Sequence, residues 1–343
     1  MAATLTANPA SDSNKQPFSA EGKSAIVTGA GSGINLSFAS LLLHRGCSVL
    51  FADLALRPEA QRLVDQYAKK RDGRPRAVFV KTDVREWVQL ERMFQVAVRE
   101  FGGVDVVCPG AGIYDPHWSN FWHPPGSPQS RDPSKSNRYA SLDINVTHPI
   151  RTAQLAISHF LNASPPVSRT NPKRIIIISS IAGQMSNLNT PIYVAGKHAM
   201  NGFIRSLATL DAEFGVRVNG VAPGVIKTPL WTEHPEKMTF LNESQDEWAT
   251  PEEVAEAMVR YSGPSLLPSL VLGPRSSVCS HYTDEPELGG GTILEVGAKQ
   301  TRLVEQLNDP GPSGPGHTVS HLQESYKEVF GWLKEKDWGK SKL

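Results

Sequence analysis

Short apolar runs alternate along this chain with stretches of helical period. The runs occupy 24–28 (SAIVT), 47–52, 76–81, 104–108, 174–178 and 216–221, and Thr292–Val296 offers a seventh. Each has strand length and stays apolar at successive positions, as expected of strands covered on both faces. Between them lie stretches such as Gly33–Arg45 and Val88–Phe101; in the second, Leu90, Phe94, Ala97, Val98 and Phe101 recur at helical spacing. Strand and helix in alternation predict an α/β fold. Its core is a single Rossmann-type, doubly wound parallel sheet of about seven strands, with helices on both faces.

The pattern divides the chain into a polar leader at 1–20, expected to be disordered, one domain over 21–299, and a C-terminal extension over 300–343. Residues 262–286 are proline-rich, show no period and read as an insertion, real or introduced with the gene model. The extension begins with a linker at 308–316 (NDPGPSGPG). Val319, Leu322, Tyr326, Val329, Phe330 and Leu333 then form one helical stripe. That terminal helix either docks on the core or a neighbouring subunit, or stands in solvent.

Composition excludes several classes of function. A formal net charge of +1 gives no electrostatic case for nucleic acid or an acidic membrane surface. Cys47, Cys108 and Cys279 are too scattered for a disulfide framework or a zinc site, so no metal is expected, and a reducing compartment fits. No apolar run of 18 residues suggests a membrane span, and the leader lacks the apolar segment of a secretory signal. The chain ends in Ser341-Lys342-Leu343, an address read by the peroxisomal import receptor. The expected location is therefore the peroxisome, with the cytoplasm as the alternative.

Two constellations carry chemistry. In Tyr193-Val-Ala-Gly-Lys197 the phenol and the ammonium share a helix face, and a nearby cation favours the phenolate. Such a pair makes a general base for an alcohol proton. The second is Thr28-Gly29-Ala-Gly31-Ser32-Gly33-Ile34-Asn35, which follows a strand and opens a helix, as a pyrophosphate site requires. Asp53 ends the next strand, 20 residues past Gly33, where a carboxylate accepts from both ribose hydroxyls. It would repel a 2′-phosphate, and neither Ser32 nor Leu54 is basic, so NAD is expected over NADP. The alternative for Asp53 is a turn or helix cap. Asp83, followed by Val84, meets an adenine edge or caps the next helix.

Together these residues resemble the short-chain dehydrogenase/reductase family. TGAGSGIN is similar to its TGxxxGxG motif. CPGAGI (108–113) stands where the family has NNAG, which puts Gly110 and Ala111 at the cofactor. Asn145 in LDINVT, Ser180 in IISSIAG, Tyr193 and Lys197 match its catalytic tetrad. VAPGVIKTP supplies Pro223, Gly224, Ile226 and Thr228 at the nicotinamide end. Within the family, FVKTDV, YVAGKHAMNGFIRS and ELGGGTILEVG are most similar to NAD-dependent 15-hydroxyprostaglandin dehydrogenase and its fungal relatives.

The resemblance implies a dehydrogenase acting on CH–OH groups, as a homodimer or homotetramer. Tyr193 would remove the hydroxyl proton and Lys197 would lower the tyrosine pKa. Ser180 would hold the substrate oxygen, and Asn145 would hold a water. Trp118, Phe121 and Trp122 in His117–Asn137, and Trp231 in Lys227–Ala249, imply a largely apolar substrate such as a hydroxylated lipid or a polyketide- or terpenoid-like alcohol. A 3-hydroxyacyl thioester is the alternative. Two departures are expected to weaken the cofactor site. Asn35 replaces the third glycine of the motif, and Pro109 and Gly110 replace two asparagines whose side-chain bonds would be missing. They leave open a non-catalytic NAD-binding protein.

Overall fold

The computed structural model describes residues 19–69, 73–229, 247–261, 288–306 and 322–339. Most of the leader, the insertion, the linker, Trp231 and the C-terminal tripeptide lie outside these residues.

Eight strands form one sheet in the order β3-β2-β1-β4-β5-β6-β7-β8. They are β1 (Ser24–Thr28), β2 (Ser48–Asp53), β3 (Ala77–Lys81), β4 (Val106–Cys108), β5 (Lys173–Ile178), β6 (Val216–Pro223), β7 (Ile293–Gly297) and β8 (Gln300–Leu303). The first seven run parallel, and β8 pairs antiparallel with β7. The pattern of apolar runs thus locates seven strands. The eighth, with sequence QTRL, carries one apolar residue and gives no period. It forms because a tight turn at Ala298–Lys299 folds it back on β7, with Lys299 in the left-handed region. The hairpin crosses residue 299, where the domain was expected to end.

The helices are α1 (Gly33–His44), α2 (Pro58–Gln66), α3 (Trp87–Phe101), α4 (Ala140–Leu142), α5 (His148–Asn162), α6 (Pro191–Ser206), α7 (Thr209–Phe214), α8 (Pro251–Arg260) and α9 (Leu322–Leu333). Alternate residues of each strand feed opposite faces of the sheet. Ala25 and Val27 pack with Phe38 and Leu42 of α1 and with Val254 and Met258 of α8. Ile26 packs on the other face with Leu90 and Met93 of α3, Phe160 of α5 and Ile204 of α6. Strands apolar on both sides are the reason the sheet is sandwiched rather than exposed.

A π-turn at Asp143–Thr147 joins α4 to α5. It displaces the register of hydrogen bonds by one residue, as such turns do at functional sites. The terminal helix α9 docks on this chain. Phe330 meets Phe214 edge-on at 5.9 Å, and Leu333 is buried. Beyond it, Ser158 Oγ and Asn162 Nδ2 donate to the carbonyl of Trp338 at 2.8 and 3.0 Å.

Candidate active site

The sheet reverses its winding between β1 and β4, and open α/β sheets bind ligands in the crevice outside the carboxyl ends of such strands. A cavity of about 1060 Å³ opens here.

Its nucleotide side is built on the turn after β1. Gly29 lies in the left-handed region, and a Cβ there would come within 2.8 Å of Ala111 Cα. Asp53 accepts from the backbone N–H of Gly31 at 2.8 Å and of Leu54 at 2.7 Å. The carboxylate therefore pins the glycine turn to the end of β2. Gly29, Ser32, Gly33, Ile34 and Asp53 line the cavity, and the first turn of α1 presents its N-terminus there. Thr28 and Gly31 do not line it; they hold it from behind. Narrow turn, helix N-terminus and carboxylate fit a dinucleotide.

Asp83 and Val84 line the same side. Asp83 is paired with Arg85, whose Nη2 lies 2.6 Å from Oδ2, and that guanidinium holds the carboxyl below its ordinary range. Arg85 escaped the sequence reading, although an arginine two residues past a strand-end aspartate was a legible signal.

The turn after β4 is held by side chains from elsewhere. Ala111 N–H donates to Thr28 Oγ1 at 3.1 Å, and Asn35 Nδ2 donates to Gly110 O at 2.9 Å. The side-chain bonds expected to be missing at Pro109 and Gly110 are thus partly replaced from across the crevice. Behind Thr28 lies His148, fully buried. Its Nδ1 faces Ile144 O at 3.1 Å and must donate, so Nε2 accepts from the Thr28 hydroxyl, also at 3.1 Å. Burial pulls the His148 pKa down to about 4, and the ring is neutral. Nothing in its sequence context marked it out.

Asn145 sits in the π-turn, buried. Its Oδ1 accepts from Ile113 N at 3.0 Å and its Nδ2 donates to Ile113 O at 2.8 Å. Asn145 acts like a strand neighbour to Ile113 and fixes the segment that leads into Tyr114.

Ser180, two residues past β5, is the cap of a short 3-10 turn, accepting from Ala182 N at 3.2 Å. Tyr193 and Lys197 lie one turn apart on α6, and all three line the cavity with Asn145. The hydroxyl of Tyr193 is deep, and its desolvation pushes the pKa up to about 12, while the Ser180 hydrogen bond pulls it down. Lys197 Nζ donates to Ile178 O at 2.9 Å and lies 5.4 Å from the centre of the Tyr193 ring. Burial lowers its pKa to about 8. At the Tyr193 hydroxyl desolvation outweighs the Ser180 hydrogen bond, and the Lys197 ammonium faces the ring and a carbonyl. Asn201 ties this helix to the serine loop, accepting from Ser179 Oγ at 2.6 Å and donating to Gly183 O at 2.8 Å.

Pro223 at the end of β6 and Gly224, Ile226 and Thr228 just past it complete the wall. Tyr114, which the sequence reading passed over, stands edge-on to Tyr193 with centroids 4.8 Å apart. The loop 117–139 is fixed by buried polar contacts: Ser119 Oγ donates to Asp132 at 2.7 Å, and Asp132 accepts from Ala140 N at 3.0 Å. Trp118 faces the cavity, and Trp122 Nε1 donates to Leu188 O at 2.9 Å. Arg131 and Arg138 also line it, cations that spacing alone did not bring to the site.

Such a crevice, with a glycine turn at one end and a serine, tyrosine and lysine at the other, defines a dinucleotide-dependent oxidoreductase. Comparison with known proteins agrees: residues 23–239 match the model of the short chain dehydrogenase family, and the chain belongs to that family. It is 32% identical over 222 residues to the hydroxynaphthalene reductase-like protein Arp2 of Metarhizium robertsii, covering 64% of this chain and 74% of that one. It is 31% identical to cis-4-hydroxycyclohexanecarboxylate dehydrogenase of Sinomonas cyclohexanicum, covering 76% and 96%. With 15-hydroxyprostaglandin dehydrogenase [NAD(+)] of Rattus norvegicus it shares 30% over 217 residues, covering 61% and 70%. The fold matches a 3-ketoacyl-(acyl-carrier-protein) reductase from Brucella melitensis, solved with NADH, with a TM-score of 0.60 at 22% identity over 81% of this chain and 98% of that one. The protein is an oxidoreductase of CH–OH groups and their ketones that uses a nicotinamide dinucleotide.

The neutral His148 gives the fold a pH signature. Between pH 6.5 and about 4 the unfolded chain binds a proton that the folded protein refuses. The contribution of His148 to stability therefore falls as pH falls through that window and levels off below it. His148→Gln should flatten this part of the stability–pH curve measured by urea denaturation. An unchanged slope would contradict the assignment.

Proposed function

We propose that the protein interconverts an apolar secondary alcohol and its ketone, with NAD as the hydride partner. The observation that carries this reading is the common cavity. Ser180, Tyr193 and Lys197 face it from one side, and the Asp53-backed glycine turn from the other. Bound there, the oxidised nicotinamide supplies the acceptor for a hydride.

The chain's own groups do the rest. Ser180 Oγ holds the substrate oxygen. Tyr193 Oη takes its proton as the carbinol C–H bond breaks and its electron pair leaves with the hydrogen. With its pKa pushed up to about 12 the phenol is almost wholly protonated near neutrality, so proton removal needs added positive charge near the hydroxyl. Lys197 is placed one helical turn away to share in that, to donate to a ribose hydroxyl, and to release a proton near neutrality. Asn145 holds Ile113, and with it Tyr114, against the tyrosine.

Asp53 favours NAD, because a carboxylate that would meet the ribose hydroxyls repels a 2′-phosphate. Tyr114, Trp118 and Met185 on the cavity wall favour an apolar substrate. A second reading, a 3-hydroxyacyl thioester, draws support from Arg131 and Arg138 at the cavity, which offer charge for phosphates. The C-terminal Ser341-Lys342-Leu343 supports peroxisomal import and a place for that thioester reading. A homodimer or homotetramer is in keeping with the family.

Tyr193→Phe should lower kcat on a panel of secondary alcohols by about 100-fold or more while leaving the NAD Kd nearly unchanged. Retention of activity within a few-fold would exclude Tyr193 as the base. In the unmutated protein kcat/KM should be far higher with NAD than with NADP, and Asp53→Ala should narrow the gap. Equal use of both cofactors would overturn the role of Asp53. A fluorescent protein fused to the N-terminus should mark peroxisomes and become diffuse on removal of Leu343. Diffuse signal from the intact tail would refute the address.

A further inference from the structure

Asn35 lies in the first turn of α1, and its side chain is nearly buried. It crosses the crevice to the turn after β4. The peptide between Gly110 and Ala111 is gripped there from both sides: its carbonyl accepts from Asn35 Nδ2 at 2.9 Å, and its N–H donates to Thr28 Oγ1 at 3.1 Å. The orientation of one peptide plane is thus set by two side chains of the opposite turn.

The space is shared as closely as the bonds. A Cβ on Gly110 would fall onto Asn35 Oδ1, with Cγ at 2.7 Å and Nδ2 at 2.9 Å. A Cβ on Gly29 would lie 2.9 Å from the same Nδ2. Asn35 therefore fills the volume that any side chain at 110 would need, and only glycine fits opposite it. Without Asn35, the same volume would be a buried void beside a carbonyl with no donor.

We propose that Asn35 and Gly110 form a reciprocal pair. The amide that bridges the two turns is carried by α1 and the glycine by the turn after β4, and Asn35 is the positioning residue that sets the width of the dinucleotide crevice. The inference rests on the family's dinucleotide assignment and deepens it. What look in the sequence like two separate lesions, an asparagine for a glycine and a glycine for an asparagine, are one exchange that leaves the bridge in place.

The test is a double-mutant cycle with Asn35→Gly, Gly110→Asn and both together. Each variant is titrated with NADH and melted without cofactor. Asn35→Gly should raise the NADH Kd by about fivefold or more, the loss expected for one buried hydrogen bond, and should change kcat less than KM for NAD. Gly110→Asn should be worse in both Kd and melting temperature. The double variant should recover NADH affinity to within about threefold of the unmutated protein and melt above Gly110→Asn. If Gly110→Asn yields no folded protein, folded and NADH-binding double variant supports the pair in the same way. Effects that simply add, or an Asn35→Gly variant with unchanged Kd, would overturn it. If the unmutated protein binds no NADH, the cofactor reading fails alone; the melting cycle still reports whether the two positions are coupled.

Discussion

The pairing of β1 with β4 is the interaction on which the site depends. Val27 stands opposite Cys108, so the turn that begins at Thr28 leaves the sheet directly beside the turn that begins at Pro109. The chain winds away from this seam in both directions. Two turns rich in glycine face each other there, and what keeps them at a fixed distance is a small set of hydrogen bonds. Asn35, Thr28 and His148 act in series. They reach from the first turn of α1 through the Gly110–Ala111 peptide to the π-turn that carries Asn145.

The electrostatics of the catalytic end work against folding. Lys197 is a buried ammonium whose hydrogen bond goes to a carbonyl rather than a carboxylate, and Tyr193 is a half-buried phenol held above its ordinary pKa. Burial penalises the charged form of each. Groups perturbed in this way, in a cleft, are characteristic of sites where charge must appear during a reaction. The frame around them is fixed by hydrogen bonds: Asn201 ties the serine loop to α6, and Asn145 holds Ile113.

Much of this was legible in the chain. Parallel strands advertise themselves as unbroken apolar runs, and seven of eight were located this way; β8 carries one apolar residue in four and depends on its turn. The glycine turn, Asp53, Ser180, Tyr193 and Lys197 were readable because their spacing is local or tied to strand ends. What was not legible required contacts between distant segments. Asn35 read as a defect because its partner lies 75 residues away. His148 looked like any residue at a helix start, and its partner Thr28 is 120 residues away. Tyr114 and Arg131 sit in a loop with no period, where only the folded path shows what faces the cavity. The contact of Asn145 with Ile113 was not legible because a π-turn cannot be seen in hydrophobic spacing, and that turn aims the amide at Ile113. The desolvation of the Tyr193 hydroxyl was not legible because burial is a property of the fold.

The central claim is that hydride passes between a carbinol carbon and a nicotinamide held in this one crevice. Deuterium transfer tests it most directly. A panel of secondary alcohols labelled with deuterium at the carbinol carbon is incubated with the protein and NAD, and the recovered cofactor is analysed by mass spectrometry. The account predicts that at least one apolar alcohol places its deuterium on the reduced cofactor, and that Tyr193→Phe abolishes the transfer. Binding of NAD without transfer from any alcohol, or transfer that survives in Tyr193→Phe, would contradict it.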